Sequence, residues 1–293
     1  MPIILPQNMK RLIVNADDFG LSERVNAGII DSFNNGILTS TSLMANGPEF
    51  ENAVLLAKQA QGLAIGVHLN AVRGKPILES GYIRSLTDKN GYFFNYSLKT
   101  FLSILRKRNA FKELENEFSA QIEKVISFGI KPTHLDTEKH LHIVPGVFKI
   151  LLKLCEKYGI KGVRGFFEKP CLYDFLNMRK LGLCAAGNAV SMIMQKNTKN
   201  NVFMPKRTYG FLESGKIDIE RCINIFKDSY DGIAEIICHP GYEGQNNGFN
   251  GGMGKYYVNS FRQIELKALT SPIVKDMACR AGIKFIDYSG VNV

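Results

Sequence analysis

The sequence predicts an α/β fold built around a buried parallel sheet. Three observations support this prediction. Short apolar, β-branched segments alternate with longer amphipathic ones, this strand-then-helix unit recurs six or seven times, and the 293 residues are 45% hydrophobic and 22% charged, as in soluble globular proteins. Such an alternation leaves two architectures open, an open doubly wound sheet and a closed barrel.

Seven segments have the length and the apolar, β-branched character of buried strands. In chain order they are RLIVNA (11–16), GILTSTSLMA (36–45), LAIGVHL (63–69), PTHLDT (132–137), GVRG (162–165), AEIICHP (234–240) and KFIDY (284–288).

Five segments between these strands show helical spacing of their apolar residues. They are Ser22 to Asn34, Pro48 to Gln61, Phe111 to Phe128, Val147 to Tyr158 and Ser260 to Gly282. The last is expected to break at Pro272, because proline cannot donate the backbone hydrogen bond of a helix interior.

Two intervals interrupt the alternation, 73–109 and 166–231. We predict one domain spanning residues 1–293, with these intervals forming loops and helices that cover a site. The glycine-rich segment Gly241 to Tyr257 superficially suggests a phosphate-binding loop. Phe249 stands where that motif begins with glycine and Tyr256 replaces its hydroxyl residue, so the segment is better interpreted as a mobile loop beside a site.

The composition argues against several classes of partner. The six cysteines are at least thirteen residues apart and include no C-x-x-C, which favours reduced thiols and a cytoplasmic location. No apolar run approaches ~18 residues, so no membrane span is expected. The net charge is +10, but the lysines are scattered and indicate a solvated basic surface rather than a nucleic-acid partner.

Chemically active side chains collect at the predicted strand ends. All five histidines lie in three segments, IGVHLN, THLDTEKHLH and ICHPG, and the pair Asp17 and Asp18 follows the apolar LIV. Since ligands bind at the carboxyl ends of parallel strands, these segments should converge on one rim. In the second segment one parity carries the polar residues as long as the chain is extended. They are His134, Asp136, Glu138, His140 and His142.

Each of these residues alone has an ordinary structural explanation, such as a hydrogen-bonded histidine or a helix cap by Asp17, Asp18 or Ser22. Together they predict a divalent-metal site, because carboxylate and imidazole are the ligands that such ions prefer. Adjacent side chains diverge, so one aspartate could hold the ion while its neighbour accepts a proton from bound water.

Several motifs in fixed order resemble those of the YdjC-like carbohydrate deacetylases, which include chitooligosaccharide deacetylases and hopanoid-biosynthesis N-acetylglucosamine deacetylases. The matching segments are NADDFGLS, TSTSLMANG, IGVHLN, KPTHLDTEKHLHIVPGV, CHPG and RQIELKALTSP. The resemblance covers nearly the whole chain and is weakest at 73–109 and 166–231. It implies an irregular TIM-like β/α barrel, a divalent metal ion and hydrolysis of an N-acetyl group from a sugar.

The resemblance also implies roles for individual residues. Asp17 would be the general base and His239 a second catalytic residue, while Asp18 and His68 would bind the metal. His134, Asp136, His140 and His142 keep the family's positions and are expected at the substrate or behind the ligands. Arg164, at a predicted strand end, is expected to hydrogen-bond the substrate or to pair with an acid.

One position departs from the family's pattern H-x-D-S-H-x-H-x-H, in which the central histidine is the third metal ligand. Glu138 stands there and Thr137 replaces the serine before it. A carboxylate can still coordinate the ion, and an added oxygen ligand favours Mg²⁺ or Mn²⁺ over Zn²⁺. Two carboxylates would leave a more neutral site with water of higher pKa. Alternatively, His140 becomes the third ligand, or the metal is lost.

The leading functional prediction is metal-dependent removal of an N-acetyl group from an amino sugar or short oligosaccharide. A non-catalytic carbohydrate-binding relative with a degraded metal site is the alternative that Glu138 motivates. A metal-dependent phosphoesterase is a weaker third prediction, based on the basic net charge. Whether the chain forms a homo-oligomer is left open.

Overall fold

The computed structural model describes residues 10–291 except 96, 169–177, 198–201, 212–214, 229, 231 and 245–259. Its eight strands form one sheet in which every paired ladder is parallel. They are β1 (Lys10–Phe19), β2 (Ser40–Leu43), β3 (Ala64–Leu69), β4 (His134–Thr137), β5 (Gly162–Val163), β6 (Arg207–Tyr209), β7 (Ile233–Cys238) and β8 (Ile283–Phe285).

The sheet is curled into a half-barrel with the strand order β5-β4-β3-β2-β1-β7-β6, and β8 pairs with the beginning of β1. This arrangement confirms the predicted α/β fold and is consistent with an irregular TIM-like barrel. Because β1 is central and pairs with three strands, its carboxyl end lies in the middle of the rim where ligands bind in such folds.

Nine helices lie in the described part of the chain. They are α1 (Glu23–Asn34), α2 (Phe50–Gln59), α3 (Ser97–Arg106), α4 (Ala110–Ser127), α5 (Pro145–Tyr158), α6 (Met178–Asn197), α7 (Ile219–Lys227), α8 (Ser260–Leu269) and α9 (Pro272–Arg280). The predicted break at Pro272 is confirmed, since Pro272 begins α9. Ser22, not either aspartate, caps α1, because its Oγ accepts a hydrogen bond from the Val25 amide at 3.2 Å.

The core lies between the sheet and the helices that cover it. Leu12, Val14 and Ala16 of β1 and Val67 and Leu69 of β3 are fully buried. Burial of each large apolar side chain contributes roughly 1.5–3 kcal/mol relative to its exposure, so the sheet's interior provides a rigid base for the rim.

The two interrupting intervals contain helices, as expected, and the second also contains a strand that was not expected. The second one holds a short strand, β6, as well as α6 and α7. Three residues of strand, Arg207–Tyr209, are too few for a periodic signal, which explains why the sequence did not reveal it. Most of the glycine-rich loop, residues 245–257, lies outside the described residues. None of the described helices has the length and apolar character needed to cross a bilayer.

Candidate metal and catalytic site

The predicted rim exists at the carboxyl ends of β1, β3 and β4. The register places His68 of β3 beside Asp136 of β4, and β1 ends with Asp17, Asp18 and Phe19. All four of these polar side chains are nearly or fully buried. The convergence expected from the strand ends is therefore present.

The two aspartates of β1 both reach His68 because the chain turns sharply between them. Asp18 has a φ of 70°, a left-handed conformation that costs energy for a residue with a side chain, and the β1–β2 register shifts between Ala16 and Phe19. One ligand atom each of Asp17, His68 and Asp136 lies within 4.8 Å of the others, and the same holds for Asp18, His68 and Glu138. The expected divergence of consecutive side chains thus places the two aspartates in different groups that share His68.

His68 connects these two groups. Its Nδ1 lies 2.8 Å from Oδ1 of Asp136 and its Nε2 lies 3.1 Å from Oε2 of Glu138. Burial alone would lower the pKa of His68, but Asp136 and Asp17 raise it well above the usual value. A proton on each ring nitrogen would satisfy both contacts, and an ion could take the place of the proton on Nε2.

Arg164 organises the side of the site that contains Asp17. The guanidinium is fully buried and contacts both oxygens of Asp17, at 2.8 and 2.6 Å. It also lies 2.7 Å from Asp136 Oδ2 and 3.0 Å from Glu235 Oε1. Of the two expectations for Arg164, pairing with acids is the one that the structure shows, because the side chain is fully buried among three carboxyl groups.

Arg73 and Arg262 hold the other side. Nη2 of Arg73 lies 2.9 Å from Oδ1 of Asp18 and 2.9 Å from Oε2 of Glu138, and Arg262 donates a hydrogen bond to Oδ2 of Asp18. Burial raises the pKa of Asp18, but Arg262 and Arg73 reverse this and hold it well below its usual range. Burial likewise opposes ionisation of Glu138, whose pKa Arg73 and His68 keep well below the ordinary value.

The remaining histidines of the β4 segment do not share one strand face. β4 ends at Thr137, and a 3₁₀ segment, Glu138–Ile143, follows in which Lys139 and His140 have φ of 54° and 52°. The alternating parity therefore extends only as far as the strand, and it does not place His140 and His142. Lys139 and His140 are thus a second place at this rim, after Asp18, where the backbone adopts a left-handed conformation.

His134 and His142 occupy different depths. His134 stacks on Tyr288, with ring centroids 3.9 Å apart, and its Nε2 lies 3.2 Å from Ser42 Oγ, below the rim. Nδ1 of His142 lies 2.7 Å from Thr137 Oγ1, while its Nε2 is buried without a protein partner. A buried nitrogen without a partner is costly, so Nε2 of His142 is suited to a ligand or water.

His140 and His239 lie at the edges of the same site. The His140 ring packs against Phe166 and Phe211, with centroids 5.4 and 5.2 Å away, and its Nδ1 is also buried without a hydrogen bond. His239 follows β7, its side chain is 28% exposed, and its Nδ1 lies 3.8 Å from Glu265 Oε2. Its backbone N–H also donates to Glu265, which orients this corner of the rim.

Comparison with known proteins agrees with this geometry. The model of the family described as YdjC-like protein matches residues 11–280. The chain belongs to the YdjC-like family.

Relatives within the family span nearly the whole chain. A carbohydrate deacetylase of Geobacillus stearothermophilus is 33% identical over 280 residues, covering 94% of this chain and 96% of the relative. One of Clostridium beijerinckii is 33% identical over 233 residues, covering 79% and 82%. The crystal structure of a putative cellobiose-phosphate cleavage protein from Enterococcus faecalis superposes with a TM-score of 0.77 at 28% identity, covering 97% of this chain and 99% of that one.

The residues around His68 fit the divalent ion on which this family depends. Asp136 holds Nδ1 of His68, which leaves Nε2 for an ion. Asp18 and Glu138 offer carboxylates whose lowered pKa keeps them ionised at neutral pH. Two carboxylates and one imidazole are a donor set that binds hard to borderline divalent ions.

Several residues of the site were not expected from the sequence. Arg73 stood at the start of an interrupting interval, Arg262 and Glu265 lie on α8, Glu235 lies within β7, and Tyr288 follows β8. Only Arg262 and Glu265 belonged to a segment that carried the family resemblance, RQIELKALTSP. Arg73 and Tyr288 follow strands and Glu235 lies inside one, so nearness to a predicted strand was the one signal that the sequence offered for them.

Because three histidines are buried, we expect the protein to lose stability in mild acid, at pH values above those at which ordinary carboxyl groups titrate. Burial lowers the pKa of His134 and His142 to about 3 and that of His140 well below 6.5. As the pH falls below 6.5, these three histidines therefore bind protons in the unfolded state but not in the folded state. Burial raises the pKa of Glu235 to about 7 from 4.5, which favours the folded state by one proton in the same window.

These four groups leave a difference of at most two protons, which the raised pKa values of the buried Glu117 and Glu265 reduce. We expect the free energy of unfolding to fall from pH 6.5 to pH 4.5, by about 1.4 kcal/mol per pH unit for each net proton. Urea titrations at pH 7, 6 and 5 measure it. His142→Gln removes one titrating group beside Thr137 and should flatten the profile by one proton. A profile that is level or rises toward pH 5 would contradict the assignment of neutral histidines.

Proposed function

We propose that the chain is a metal-dependent carbohydrate N-deacetylase, which hydrolyses an acetamide on an amino sugar or short oligosaccharide. The observation that carries the proposal is the arrangement of Asp18, His68 and Glu138 as one potential ligand set, with Asp17 in a second group that shares His68. The relatives named carbohydrate deacetylase support the reaction class.

The ion would be held by Asp18, His68 and Glu138. When bound, it supplies a Lewis acid that polarises the acetamide carbonyl and acidifies a water molecule. Two carboxylate ligands favour Mg²⁺ or Mn²⁺ over Zn²⁺. The Asp136 carboxylate keeps the His68 ring in the orientation that aims Nε2 at this position.

Asp17 is the proposed proton acceptor. Each carboxylate oxygen can accept more than one hydrogen bond, and Oδ2 of Asp17 accepts one from Arg164 at 2.8 Å. Arg164 and Asn15 fix the plane of the carboxylate, since Asn15 Nδ2 lies 3.1 Å from its Oδ1. Asp17 is thus held in a fixed orientation with an oxygen that can accept a further hydrogen bond, which suits general base catalysis.

His239 is the proposed donor to the leaving amine. The pKa of His142 and of His140 is lowered by burial, so both are neutral at pH 7 and neither supplies an imidazolium proton. His239 is partly exposed, and the Glu265 carboxylate near its Nδ1 can stabilise a positive charge. Nε2 of His142 and Nδ1 of His140, both without protein partners, would instead hydrogen-bond the substrate.

We propose further that residues 1–293 act as one catalytic domain, with 73–109 and 166–231 covering the cleft. A cytoplasmic location is supported by the five described cysteines, which are all free thiols. The test therefore varies the length of the sugar and includes a phosphorylated sugar, because one structural relative is titled a putative cellobiose-phosphate cleavage protein.

The test is acetate release by the chelator-stripped protein after addition of Mg²⁺, Mn²⁺, Co²⁺ or Zn²⁺. Substrates are N-acetylglucosamine, N-acetylated chitooligosaccharides of two to four sugars, and a phosphorylated disaccharide that carries N-acetyl groups. We expect acetate from at least one of them only when an ion is present, and none after chelation. An ion-loaded protein that binds these sugars in a calorimeter but releases no acetate would overturn the proposal in favour of a carbohydrate-binding relative.

A further inference from the structure

Arg73 lies among the atoms that would coordinate the ion. Its Nη2 is 2.9 Å from Oδ1 of Asp18 and 2.9 Å from Oε2 of Glu138, and that Glu138 oxygen is also 3.1 Å from Nε2 of His68. The Arg73 side chain is only 5% exposed, so water screens these contacts little. One guanidinium nitrogen therefore bridges two of the three proposed ligands.

The Arg73 backbone is anchored in a way that presents the side chain to this point. Asn70 Nδ2 donates to the Arg73 carbonyl at 2.8 Å, and Asn70 Oδ1 accepts from the Arg73 amide at 3.2 Å. Asn46 Nδ2 donates to the same carbonyl at 3.1 Å. Gln121 in turn accepts from the Asn70 amide at 2.9 Å, so the loop after β3 is tied to α4.

The charge of Arg73 offsets what Glu138 adds. The family's pattern of one aspartate and two neutral histidines carries one negative charge, whereas Asp18 with Glu138 carries two. The Arg73 guanidinium places a positive charge against this added negative charge, beside the Arg262 guanidinium that already pairs with Asp18. A divalent ion and a guanidinium cannot both sit against the same two oxygens without strong repulsion, because two positive charges a few ångströms apart in a buried site repel with little screening.

We propose that Arg73 is a resident cation of this site, which occupies Asp18 and Glu138 when no ion is bound and gives up at least one of these contacts when the ion binds. The inference rests on the proposed function, because it concerns the same ligand set. Arg73 would then set the affinity for the metal, because the ion must displace the guanidinium from at least one carboxylate. A site with a neutral histidine as the third ligand has no second carboxylate for a guanidinium to occupy.

Lys139 offers a matched comparison. Its Nζ lies 3.7 Å from Oε1 of the same Glu138, but the lysine side chain is 47% exposed. Removing its charge should change ion binding little, because solvent screens an exposed charge and such pairs contribute weakly. Arg73 and Lys139 thus carry the same charge beside the same carboxylate and differ in burial and in contact with Asp18.

The test is calorimetric titration of Mn²⁺ into the stripped full-length protein, Arg73→Met and Lys139→Met. We expect Arg73→Met to bind Mn²⁺ about tenfold or more tightly than the wild type, and Lys139→Met to stay within about threefold. Melting in chelator checks that each variant is folded. Arg73→Gln, which can still donate to one carboxylate, should bind with intermediate affinity and serves if Arg73→Met does not fold.

Equal or weaker Mn²⁺ binding by the Arg73 variants would overturn the inference, and so would the absence of binding in all proteins. Failure of the function looks different. Tighter Mn²⁺ binding by Arg73→Met without acetate release from any sugar would support the role of Arg73 and contradict the deacetylase proposal. Acetate release with unchanged Mn²⁺ affinity in Arg73→Met would support the deacetylase proposal and contradict the role of Arg73.

Discussion

Replacing Arg164 with methionine is expected to lower the free energy of unfolding at pH 7 by about 3–5 kcal/mol, the usual cost of removing one partner from a buried ion pair. The guanidinium is completely buried and lies within 3.0 Å of Asp17, Asp136 and Glu235. Methionine fills much of the volume, so the loss would come mainly from carboxylates left without a counter-charge. Urea denaturation of the two proteins measures the difference.

The pH dependence separates this explanation from simple loss of packing. Without Arg164 the buried Asp136 carboxyl group loses the positive charge that most strongly lowers its pKa against the effect of burial, so its pKa in the folded state rises. The folded variant then binds this proton more readily than the folded wild type as the pH falls from 7 to 5, so the difference in the free energy of unfolding between the two proteins should narrow. A gap that stays constant over this range would mean that packing, not charge, accounts for the cost.

Arg280→Met is the control for removal of an arginine that pairs with an acid. Its side chain is 73% exposed and its Nε lies 2.8 Å from Asp276 one helical turn away. We expect a change below about 0.5 kcal/mol, because exposed pairs of this kind contribute little. A loss comparable to that of Arg164→Met would show that burial is not what makes the Arg164 network important.

Asp17→Asn is expected to reduce kcat for acetate release by a factor of roughly 10² to 10⁴, the usual contribution of a positioned general base. Asparagine has nearly the same shape but cannot accept a proton at physiological pH. KM should change little, because the substitution leaves the proposed ion ligands Asp18, His68 and Glu138 untouched. Steady-state kinetics on the best sugar of the panel measures both constants.

The fold of Asp17→Asn must be shown to survive, since Arg164 loses one of its ionised partners. Asp136 and Glu235 remain on that guanidinium, so the folded state should persist. Mn²⁺ binding equal to that of the wild type would confirm an intact rim. Asp276→Asn, at an exposed position on α9, is the control for the chemical change and should keep full turnover. Turnover of Asp17→Asn within a few-fold of the wild type would remove Asp17 from the proposed role.

Much of the architecture could be predicted because its signals are local. The apolar runs that became β1, β3, β4 and β7 and the helical spacing of α1, α4 and α5 depend on side-chain periodicity, which a chain shows without tertiary contacts. The break at Pro272 was predictable for the same reason. β6, with three residues, is stabilised by its ladder with β7 and by its neighbours, so nothing local announced it.

The candidate site likewise has features that the sequence predicted and features that only the folded chain decided. That Asp17, Asp18, His68 and Asp136 converge follows from their places at the ends of parallel strands, and the sequence determined this by itself. The left-handed turns at Asp18 and His140 were decided by the folded rim, because such backbone conformations are unfavourable unless surrounding contacts impose them. These two turns determine which side-chain atoms of the rim lie close together.

The sequence by itself thus determined the α/β fold, the acid and histidine content of the rim and the departure at Glu138. Only the tertiary structure decided how the charges of that rim are balanced. Arg73, Arg164 and Arg262 come from three distant parts of the chain, and although Arg164 was expected at a strand end, no local pattern indicated which carboxylates the three arginines would contact. Ion pairing depends on distance and burial in space, and both are properties of the folded chain.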